Sequence, residues 1–292
     1  MTYFLYPGCS LEAGGSHYLV SVEAVAHALG LTLKEIDDWN CCGASIHYVG
    51  GTELQTKTLN ARNLALAQKQ GGYDIIAPCS SCYIQMIKTA HEFEEEPKLA
   101  EELNQILAEG GLNYTGGVKV RHVLDVLYHD LGVERIAAAV KKPLDGVKVA
   151  VYYGCQTTRP YGEYDSVEDP HTMDEIMAAL GAEVVPFEHK AKCCGSGIFF
   201  TEMETCAPLA GGILGEATEK GVDMIVTACP MCQMNLEIYQ SRLNKMLGTE
   251  YDMPVVFVTQ LMALAFGGDF KKDAALDRNI VSAAEVLKNA AA

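Results

Sequence analysis

Residues 38–44 read DWNCCGA and residues 191–196 read AKCCGS, so the chain contains two pairs of adjacent cysteines that are each followed by glycine. The pairs are Cys41–Cys42 and Cys193–Cys194. Neighbouring Cα atoms lie about 3.8 Å apart, so the two sulfurs of such a pair can reach adjacent atoms of one compact metal assembly. Because this unusual arrangement occurs twice, we expect the chain to consist of two related units.

The other cysteines extend the repeat in both directions from each pair. In the first half, 31 residues separate Cys9 from the pair and 36 separate the pair from Cys79, and the corresponding numbers of intervening residues in the second half are 37 and 34. Each series ends in a CxxC motif. Ten cysteines follow this pattern: Cys9, Cys41, Cys42, Cys79, Cys82, Cys155, Cys193, Cys194, Cys229 and Cys232. The eleventh, Cys206, lies in a predicted helix, where a buried free cysteine behaves as a small hydrophobic residue.

The segments that flank the cysteines repeat as well. YPGC at residues 6–9 corresponds to YYGC at residues 152–155, and GGYDIIAPC at 71–79 corresponds to KGVDMIVTAC at 220–229. A repeat of about 150 residues is far longer than a solenoid repeat, and 292 residues are enough for two domains. We therefore predict two homologous domains, residues 1–144 and residues 145–292.

Short apolar segments alternate with longer helical segments in each half. The segments with the length and composition of buried parallel strands are TYFLY, LTLKEI, YDIIA, VKVAVYY, AEVVPF and DMIVTA. The helical segments include SHYLVSVEAVAHALG and TELQTKTLNARNLALAQKQGG, which end at glycine as helices often do. This alternation predicts an α/β fold with two pseudo-symmetric open domains of Rossmann-like type.

The cysteines of the repeat follow the predicted strands along the chain. In an open parallel sheet, ligands bind outside the carboxyl ends of the strands. We therefore expect the five thiols of each half to converge on one site at the strand C-terminal ends.

Composition and charge narrow the class of protein. Hydrophobic residues make up 49% and charged residues 21% of the chain, as in globular proteins. The net charge of −16 argues against a nucleic-acid partner. The start of the chain lacks the features of a signal peptide, and the apolar segment VVFVTQLMALAFGG is too short to span a bilayer, so we expect a core helix there. The sequence predicts a cytoplasmic protein with no transmembrane segment, whose thiols stay reduced.

Three kinds of site use cysteines in this way. A thioredoxin-like dithiol matches CPMC at residues 229–232, but it leaves three cysteines of that half unexplained. Structural zinc takes four ligands, so a fifth thiolate would be surplus. An iron–sulfur cluster spreads thiolate charge over several irons. The residues favour a cluster in each half and leave zinc in either half as an alternative.

The doubled pattern Cys–x31–Cys-Cys-Gly–x36–CxxC and Cys–x37–Cys-Cys-Gly–x34–CxxC resembles the tandem cysteine-rich (Cys-Cys-Gly) domain family, over nearly the whole chain. Because the chain is little more than two such domains, it is most similar to the B subunits of heterodisulfide reductases. This resemblance implies two noncubane [4Fe-4S] clusters that reduce the coenzyme M–coenzyme B mixed disulfide to two thiols. It implies that Cys9, Cys41, Cys42, Cys79 and Cys82 hold one cluster, and that Cys155, Cys193, Cys194, Cys229 and Cys232 hold the other.

The electron donor is expected to be another chain, because the sequence has neither ferredoxin-type cysteine spacing nor a GxGxxG motif after a strand. The resemblance implies an iron–sulfur C subunit that is the immediate donor and a flavin-bearing A subunit that supplies it, often joined to a hydrogenase or a formate dehydrogenase. Subunits of thiol-driven fumarate reductase, succinate dehydrogenase, and glycolate or lactate oxidase are alternatives within the family. A zinc-bound scaffold protein is an alternative outside it.

The candidate substrate-binding residues are basic side chains near the cysteines. The substrate that the resemblance implies carries sulfonate, phosphate and carboxylate groups, which cations could orient. A histidine could also donate the protons that two thiolates require, because its unperturbed pKa lies near neutrality. A solvated loop or a structural role is the alternative for each. The candidates are Arg159, His189, Lys190, Lys192 and His47.

Overall fold

The computed structural model describes residues 1–46 and 49–290 and contains two sheets of four parallel strands, one in each half. The strand order is β2-β1-β3-β4 in the first sheet and β6-β5-β7-β8 in the second. The same order in both halves confirms the predicted fold of two related open α/β units. The boundary at residue 144 stays a prediction. The strands are β1 Thr2–Leu5, β2 Thr32–Glu35, β3 Ile75–Ala77, β4 Val120–His122, β5 Lys148–Tyr152, β6 Glu183–Val184, β7 Met224–Thr227 and β8 Val255–Phe257.

Helices cover the sheets and connect the strands. None of those in the described part of the chain is both long and apolar enough to cross a membrane. The α-helices are α1 Gly8–Glu12, α2 Ser16–Ala28, α3 Glu53–Lys69, α4 Ser80–Glu95, α5 Pro97–Ala108, α6 Val123–Asp125, α7 Val133–Ala139, α8 Thr172–Ala179, α9 Met203–Glu219, α10 Pro230–Gln233, α11 Gln240–Leu247, α12 Val258–Ala265 and α13 Ala284–Ala290. Val126–Leu131 and Met234–Ile238 form π-helical segments, and Ser196–Ile198 and Leu276–Arg278 form 3-10 turns.

Helix α3 shows how local sequence sets an element boundary. The Thr52 side chain accepts a hydrogen bond from the Gln55 backbone, and the Gln55 side chain accepts one from the Thr52 backbone. These reciprocal bonds satisfy amide groups that the first helical turn would leave unpaired. The helix predicted in this segment is confirmed.

The outer strands differ from the sequence interpretation. LTLKEI and AEVVPF were expected to form buried strands, but β2 and β6 each pair on one side only and are largely exposed. The fourth strand of each sheet was not predicted, and the segment expected to be one core helix divides into β8 and α12. Every residue of β8 and α12 is buried, so the segment does belong to the core.

Tyr18 on α2 joins the two halves. Its ring stacks on Phe257 at the end of β8, with the ring centroids 4.0 Å apart and the planes within 6°. Its hydroxyl lies 3.3 Å from the Pro78 carbonyl oxygen and 3.1 Å from the Ala228 carbonyl oxygen, so it can donate to either. These carbonyls directly precede Cys79 and Cys229. Tyr18 therefore fixes the ends of β3 and β7 relative to each other.

The C-terminal segment, residues 274–287, covers the outer edge of β8. The Asn279 side chain donates to the Val255 carbonyl oxygen at 3.0 Å, and Gln260 donates to the Ala274 carbonyl oxygen at 2.9 Å. Glu237 accepts a hydrogen bond from the Val281 backbone at 3.0 Å. The apolar side chains of this segment, Leu276, Ala283 and Leu287, are buried.

Glu237, beneath this segment, is expected to make stability depend on pH. Burial raises the pKa of its carboxyl group from 4.5 to about 7, despite the hydrogen bonds that it accepts. Between these values the folded chain holds a proton that the unfolded chain has released, so the free energy of unfolding falls as the pH rises. The variant Glu237→Gln should lack this dependence. The free energy of unfolding of the variant minus that of the wild type should therefore rise by about 1–3 kcal/mol between pH 5 and pH 8.

Urea unfolding of the two proteins across this pH range provides the measurement. A difference in unfolding free energy that stays constant from pH 5 to pH 8 would contradict the assignment of a buried proton to Glu237.

Candidate metal centre

The five cysteines of the first half lie in loops and helix starts beyond the carboxyl ends of β1, β2 and β3. Cys9 lies in α1, the Cys41–Cys42 pair lies in the loop after β2, and Cys79 and Cys82 lie at the start of α4. The Sγ atoms of Cys9 and Cys41 are 3.6 Å apart. We call these five residues the first quintet.

The second quintet consists of Cys155, Cys193, Cys194, Cys229 and Cys232 and has the same arrangement. The Sγ atoms of Cys194 and Cys232 are 3.7 Å apart. In both halves the first cysteine and the first member of the pair are exposed or half-buried, whereas the other three are buried. The eleven thiols are all free. Each half therefore presents two thiols outward and three inward.

The glycine after each cysteine pair turns the chain back toward the sulfur of the first pair member. Gly43 donates its backbone N–H to Cys41 Sγ at 3.5 Å, and Gly195 donates to Cys193 Sγ at 3.3 Å. Both glycines have positive φ, +75° and +82°, a conformation that other residues adopt only with strain. Backbone N–H groups aimed at sulfur are the kind of contact that tunes a thiolate-bound metal.

A second glycine in each half permits close approach to the CxxC motif. A Cβ atom on Gly8 would lie 2.8 Å from Cys82 Sγ, and one on Gly154 would lie 3.0 Å from Cys232 Sγ. Their φ angles are +70° and +74°. The YPGC and YYGC motifs therefore place a glycine, which has no side chain, against the last cysteine of each quintet.

One cavity of about 320 Å³ is bordered by thiols from both halves. Ser81 beside it donates to Gln156 Oε1 at 2.6 Å, a bond that joins one half to the other at the cavity wall. At the base of the site the Cys79 thiol lies next to that of Cys229, and this neighbour together with burial raises the pKa of Cys79. The cysteines on the cavity wall are Cys9, Cys41, Cys42, Cys79 and Cys82 from the first quintet and Cys155 and Cys193 from the second.

The thiols of each quintet perturb one another strongly. Hydrogen bonds from the Cys42 and Cys9 thiols lower the pKa of Cys41 to about 2. A hydrogen bond from the Cys155 thiol lowers the pKa of Cys193 to about 6, and the charge of Arg159 acts in the same direction. Several thiolates this close repel one another unless a cation compensates their charge, and bound metal supplies such a cation.

The chemistry of this donor set fits iron–sulfur clusters. Thiolate sulfur is the ligand that holds such clusters, and the cavity wall carries five cysteines of the first half and two of the second. Among the described residues, no three histidine, cysteine or carboxylate side chains are grouped as the ligands of a single metal ion would be. The residues present match an iron–sulfur cofactor in ligand type, because both halves bring cysteine thiols to the site.

The four candidates of the second half, Arg159, His189, Lys190 and Lys192, do not line the described wall of the cavity. Lys190 forms ion pairs with Asp169 at 3.1 Å and Asp174 at 3.3 Å. His189 Nδ1 lies 2.5 Å from a Glu216 carboxylate oxygen. Arg159 donates to the Ala191 carbonyl oxygen. Lys192 is exposed, and His47 lies outside the described residues.

The cavity wall contains residues that sequence reasoning did not select. Ser10, Ser81 and Gln156 each follow or lie between cysteines of the quintets, so their position in the chain could have indicated them. Ser45, Ser196, Thr201 and several apolar side chains also line the cavity, and two of the apolar ones are strongly exposed, Phe200 at 77% and Val49 at 82%. No motif in the sequence distinguishes these two residues from core residues.

Comparison with known proteins places the chain in a family. The family model described as "Cysteine-rich domain" matches residues 3–87 and 149–237, one match in each half. The 8-methylmenaquinol:fumarate reductase membrane anchor subunit of Wolinella succinogenes is 36% identical over 96% of this chain and 97% of the relative. A protein of Archaeoglobus profundus that is described as like the B subunit of heterodisulfide reductase is 33% identical over 94% of this chain and 93% of the relative.

A third relative agrees with this placement, and a solved structure agrees with the fold. The B subunit of the ferredoxin:CoB-CoM heterodisulfide reductase of Methanosarcina mazei is 30% identical over 85% of this chain and 83% of the relative. The crystal structure of a hypothetical protein from Helicobacter pylori matches with a TM-score of 0.75 and 15% identity. It covers 96% of this chain, which spans only 52% of that longer chain, and it supports the fold alone.

Proposed function

The chain belongs to the cysteine-rich domain family, and from that premise we propose that it reduces a mixed disulfide to two thiols at two noncubane [4Fe-4S] clusters. It is a subunit of a reductase complex of the heterodisulfide or fumarate reductase type. The substrate we propose is the coenzyme M–coenzyme B disulfide. The proposed cluster ligands are the first quintet for one cluster and the second quintet for the other.

The observation that supports this proposal is the single cavity between the quintets. Reduction of a disulfide consumes two electrons and two protons, breaks one S–S bond and yields two thiols, so two sulfur atoms must be accommodated as they separate. Bound clusters would supply the electrons and an iron partner for each sulfur. A cavity with cysteines of both quintets in its wall would hold the S–S bond between the two.

The chain's own residues would hold and orient the substrate. The hydrogen bond between Ser81 and Gln156 fixes the distance between the two halves at the cavity wall. Apolar side chains such as Ile198 and Met231 exclude water from the sulfurs, which keeps reactive intermediates from side reactions. Arg159, whose charge acts on Cys193, is the best placed of the basic candidates to attract an anionic substrate.

The proposed electron donor is a separate iron–sulfur protein, corresponding to the C subunit of heterodisulfide reductases. A flavin-bearing A subunit would supply that donor, with a hydrogenase or formate dehydrogenase as the source of electrons in a larger complex. The names of the relatives, which are subunits of multi-subunit reductases, support the existence of such partners.

A second candidate function is a role in electron transfer from a menaquinol to fumarate. Two observations favour it: the relative with 36% identity is named as a subunit of an 8-methylmenaquinol:fumarate reductase, and much of the cavity rim is apolar. An apolar rim suits a quinol better than it suits a substrate with several anionic groups. Val49, Ile198, Phe200, Leu209 and Met231 form this apolar rim.

Anaerobic turnover assays with the iron-replete protein separate the two candidates. Reduced dye and the coenzyme M–coenzyme B disulfide should yield two thiols per disulfide. If a preparation with both clusters does not consume the disulfide but a menaquinol analogue reduces those clusters, the second candidate replaces the first. Zinc in place of iron and acid-labile sulfide would contradict both and would favour a scaffold protein.

A further inference from the structure

A groove of about 650 Å³ lies on the first half, away from the cysteine cavity. Its floor is formed by α4 and by the outer strand β4, and residues 163–164 of the second half close one end. Strand β4 pairs only with β3 among the described residues, so its other edge faces this groove. An open strand edge presents unpaired backbone groups that another chain can use.

The pseudo-symmetry of the fold identifies the equivalent place on the second half. Val120 pairs in register with Ile75 on β3, and Val255 pairs in the same way with Ile225 on β7. The backbone contacts agree, because Ile75 donates to the carbonyl oxygen of the residue before Val120 and Ile225 donates to the one before Val255. Val120 and Val255 therefore occupy equivalent positions on the outer strands.

Two further positions correspond in the same manner. Ile87 lies five residues after Cys82, and Glu237 lies five residues after Cys232. Asp125 lies five residues after Val120, and Gln260 lies five residues after Val255. Val120, Ile87 and Asp125 all line the groove of the first half.

On the second half, the equivalent residues Val255, Glu237 and Gln260 all contact the chain's own C-terminal segment. Asn279 donates to the Val255 carbonyl oxygen at 3.0 Å, and the Val281 backbone donates to Glu237 at 3.0 Å. Gln260 donates to the Ala274 carbonyl oxygen at 2.9 Å and to Asn279 Oδ1 at 3.0 Å. The fold thus shows a segment with a 3-10 turn and the start of α13 filling this place on one half, while a groove remains on the other.

A buried hydroxyl in the groove also points to a missing partner. Tyr164 lines the groove and is only 8% exposed, and its hydroxyl has no hydrogen-bond partner within the described residues. Tyr18 is its counterpart, because both tyrosines lie nine residues after the first cysteine of their half. The Tyr18 hydroxyl has two carbonyl oxygens within reach. A buried hydroxyl without a partner is destabilising, and an acceptor on a ligand in the groove could satisfy it.

We propose that the groove along β4 binds a segment of a partner subunit, which covers the edge of β4 as residues 274–287 cover the edge of β8. The proposal does not depend on which substrate the cysteine cavity accepts. It requires only that the chain works as one subunit of a complex, as its relatives do.

The charges and apolar side chains of the groove define the kind of segment that fits. Arg121 is paired with Asp125 and Asp130, and His91 Nε2 lies 2.9 Å from a Glu163 oxygen. Glu94 and Lys119 also line the groove and carry opposite charges, so the lining has little net charge. Ile87, Ala90 and Val120 leave an apolar floor between them. The segment should therefore be uncharged, with apolar side chains that pack against this floor and a hydrogen-bond acceptor opposite the Tyr164 hydroxyl. On the other half, Leu276 and Ala283 supply the apolar side chains and Asn279 supplies the polar contact.

The test compares the native complex with the isolated chain. Hydrogen–deuterium exchange of the backbone amides in residues 118–122 should slow by at least about tenfold in the complex, because a bound segment protects the strand edge. Ala90→Trp should fill the groove and weaken the affinity for one partner protein of the complex by at least about tenfold, measured by titration of that partner. Ala24→Trp is the matched control, since Ala24 also lies on a helix beside a surface cavity, of about 330 Å³.

Three results would overturn the proposal. The first is equal exchange of residues 118–122 in the complex and in the isolated chain. The second is unchanged partner affinity in a folded Ala90→Trp protein, judged by its unfolding temperature. The third is protection of the groove by a small molecule or by a second copy of this chain, which native mass spectrometry of the complex would detect. If Ala90→Trp does not fold, the exchange experiment on the unaltered protein decides.

Discussion

Replacement of Cys193 by alanine is expected to remove the cluster of the second half and to lower turnover by more than about 100-fold, because even a change behind a metal ligand costs 10–100-fold. Cys193 is exposed, so its loss leaves the core packing intact. Its Sγ accepts the Gly195 N–H at 3.3 Å and lies on the wall of the shared cavity. Iron content, acid-labile sulfide and anaerobic turnover of the purified protein provide the measurement.

Cys206→Ala is the matched control for this substitution. Cys206 is fully buried on α9, and its Sγ lies 3.7 Å from the Cys194 carbonyl oxygen, so it is a close neighbour of the second quintet without being a member. The control should keep both clusters and near-normal turnover. Loss of iron from Cys206→Ala with retention in Cys193→Ala would reverse the assignment of ligands in this half.

Replacement of Tyr18 by alanine is expected to lower the free energy of unfolding by about 3–5 kcal/mol, the range for loss of a large aromatic side chain from a core. The Tyr18 side chain is fully buried and stacks on Phe257 across the contact between the halves. Tyr18→Phe keeps this stacking and removes the hydroxyl, so it should cost only about 1 kcal/mol. Urea unfolding under anaerobic conditions gives both values.

Tyr73→Ala serves as the control for loss of aromatic surface. Tyr73 is 38% exposed and makes an edge contact with Phe4, so its removal should change stability by about 1 kcal/mol or less. Equal destabilisation by Tyr18→Ala and Tyr73→Ala would show that the contact between the halves contributes little to stability.

The repeat of the cysteines carried most of the information about the fold. The spacing around Cys41–Cys42 and Cys193–Cys194 predicted two related units, and the apolar segments before Cys79 and Cys229 predicted the central strands β3 and β7. Strand β4 was missed because it has only three residues and includes Arg121 and His122, which do not resemble a buried strand. Its existence depends on pairing with β3, which is a tertiary contact.

The site was predictable only where its residues belong to the repeat. The convergence of thiols followed from the position of each cysteine after a strand, because parallel strands end at one edge of a sheet. The basic candidates were chosen for their closeness in sequence, which does not determine where a side chain points. Lys190 turns to Asp169 and Asp174, which approach it from an irregular segment and from α8. The groove along β4 was not predictable, because it depends on which strand edge the C-terminal segment covers.

The location of iron in a crystal of the anaerobically purified protein tests the central claim most directly. Anomalous diffraction at the iron absorption edge should show two separate groups of iron atoms in each chain. One group should lie within reach of the first quintet and the other within reach of the second, and both should border the cavity between them. Single zinc ions, iron in only one half, or two clusters that open onto different surfaces would contradict the account.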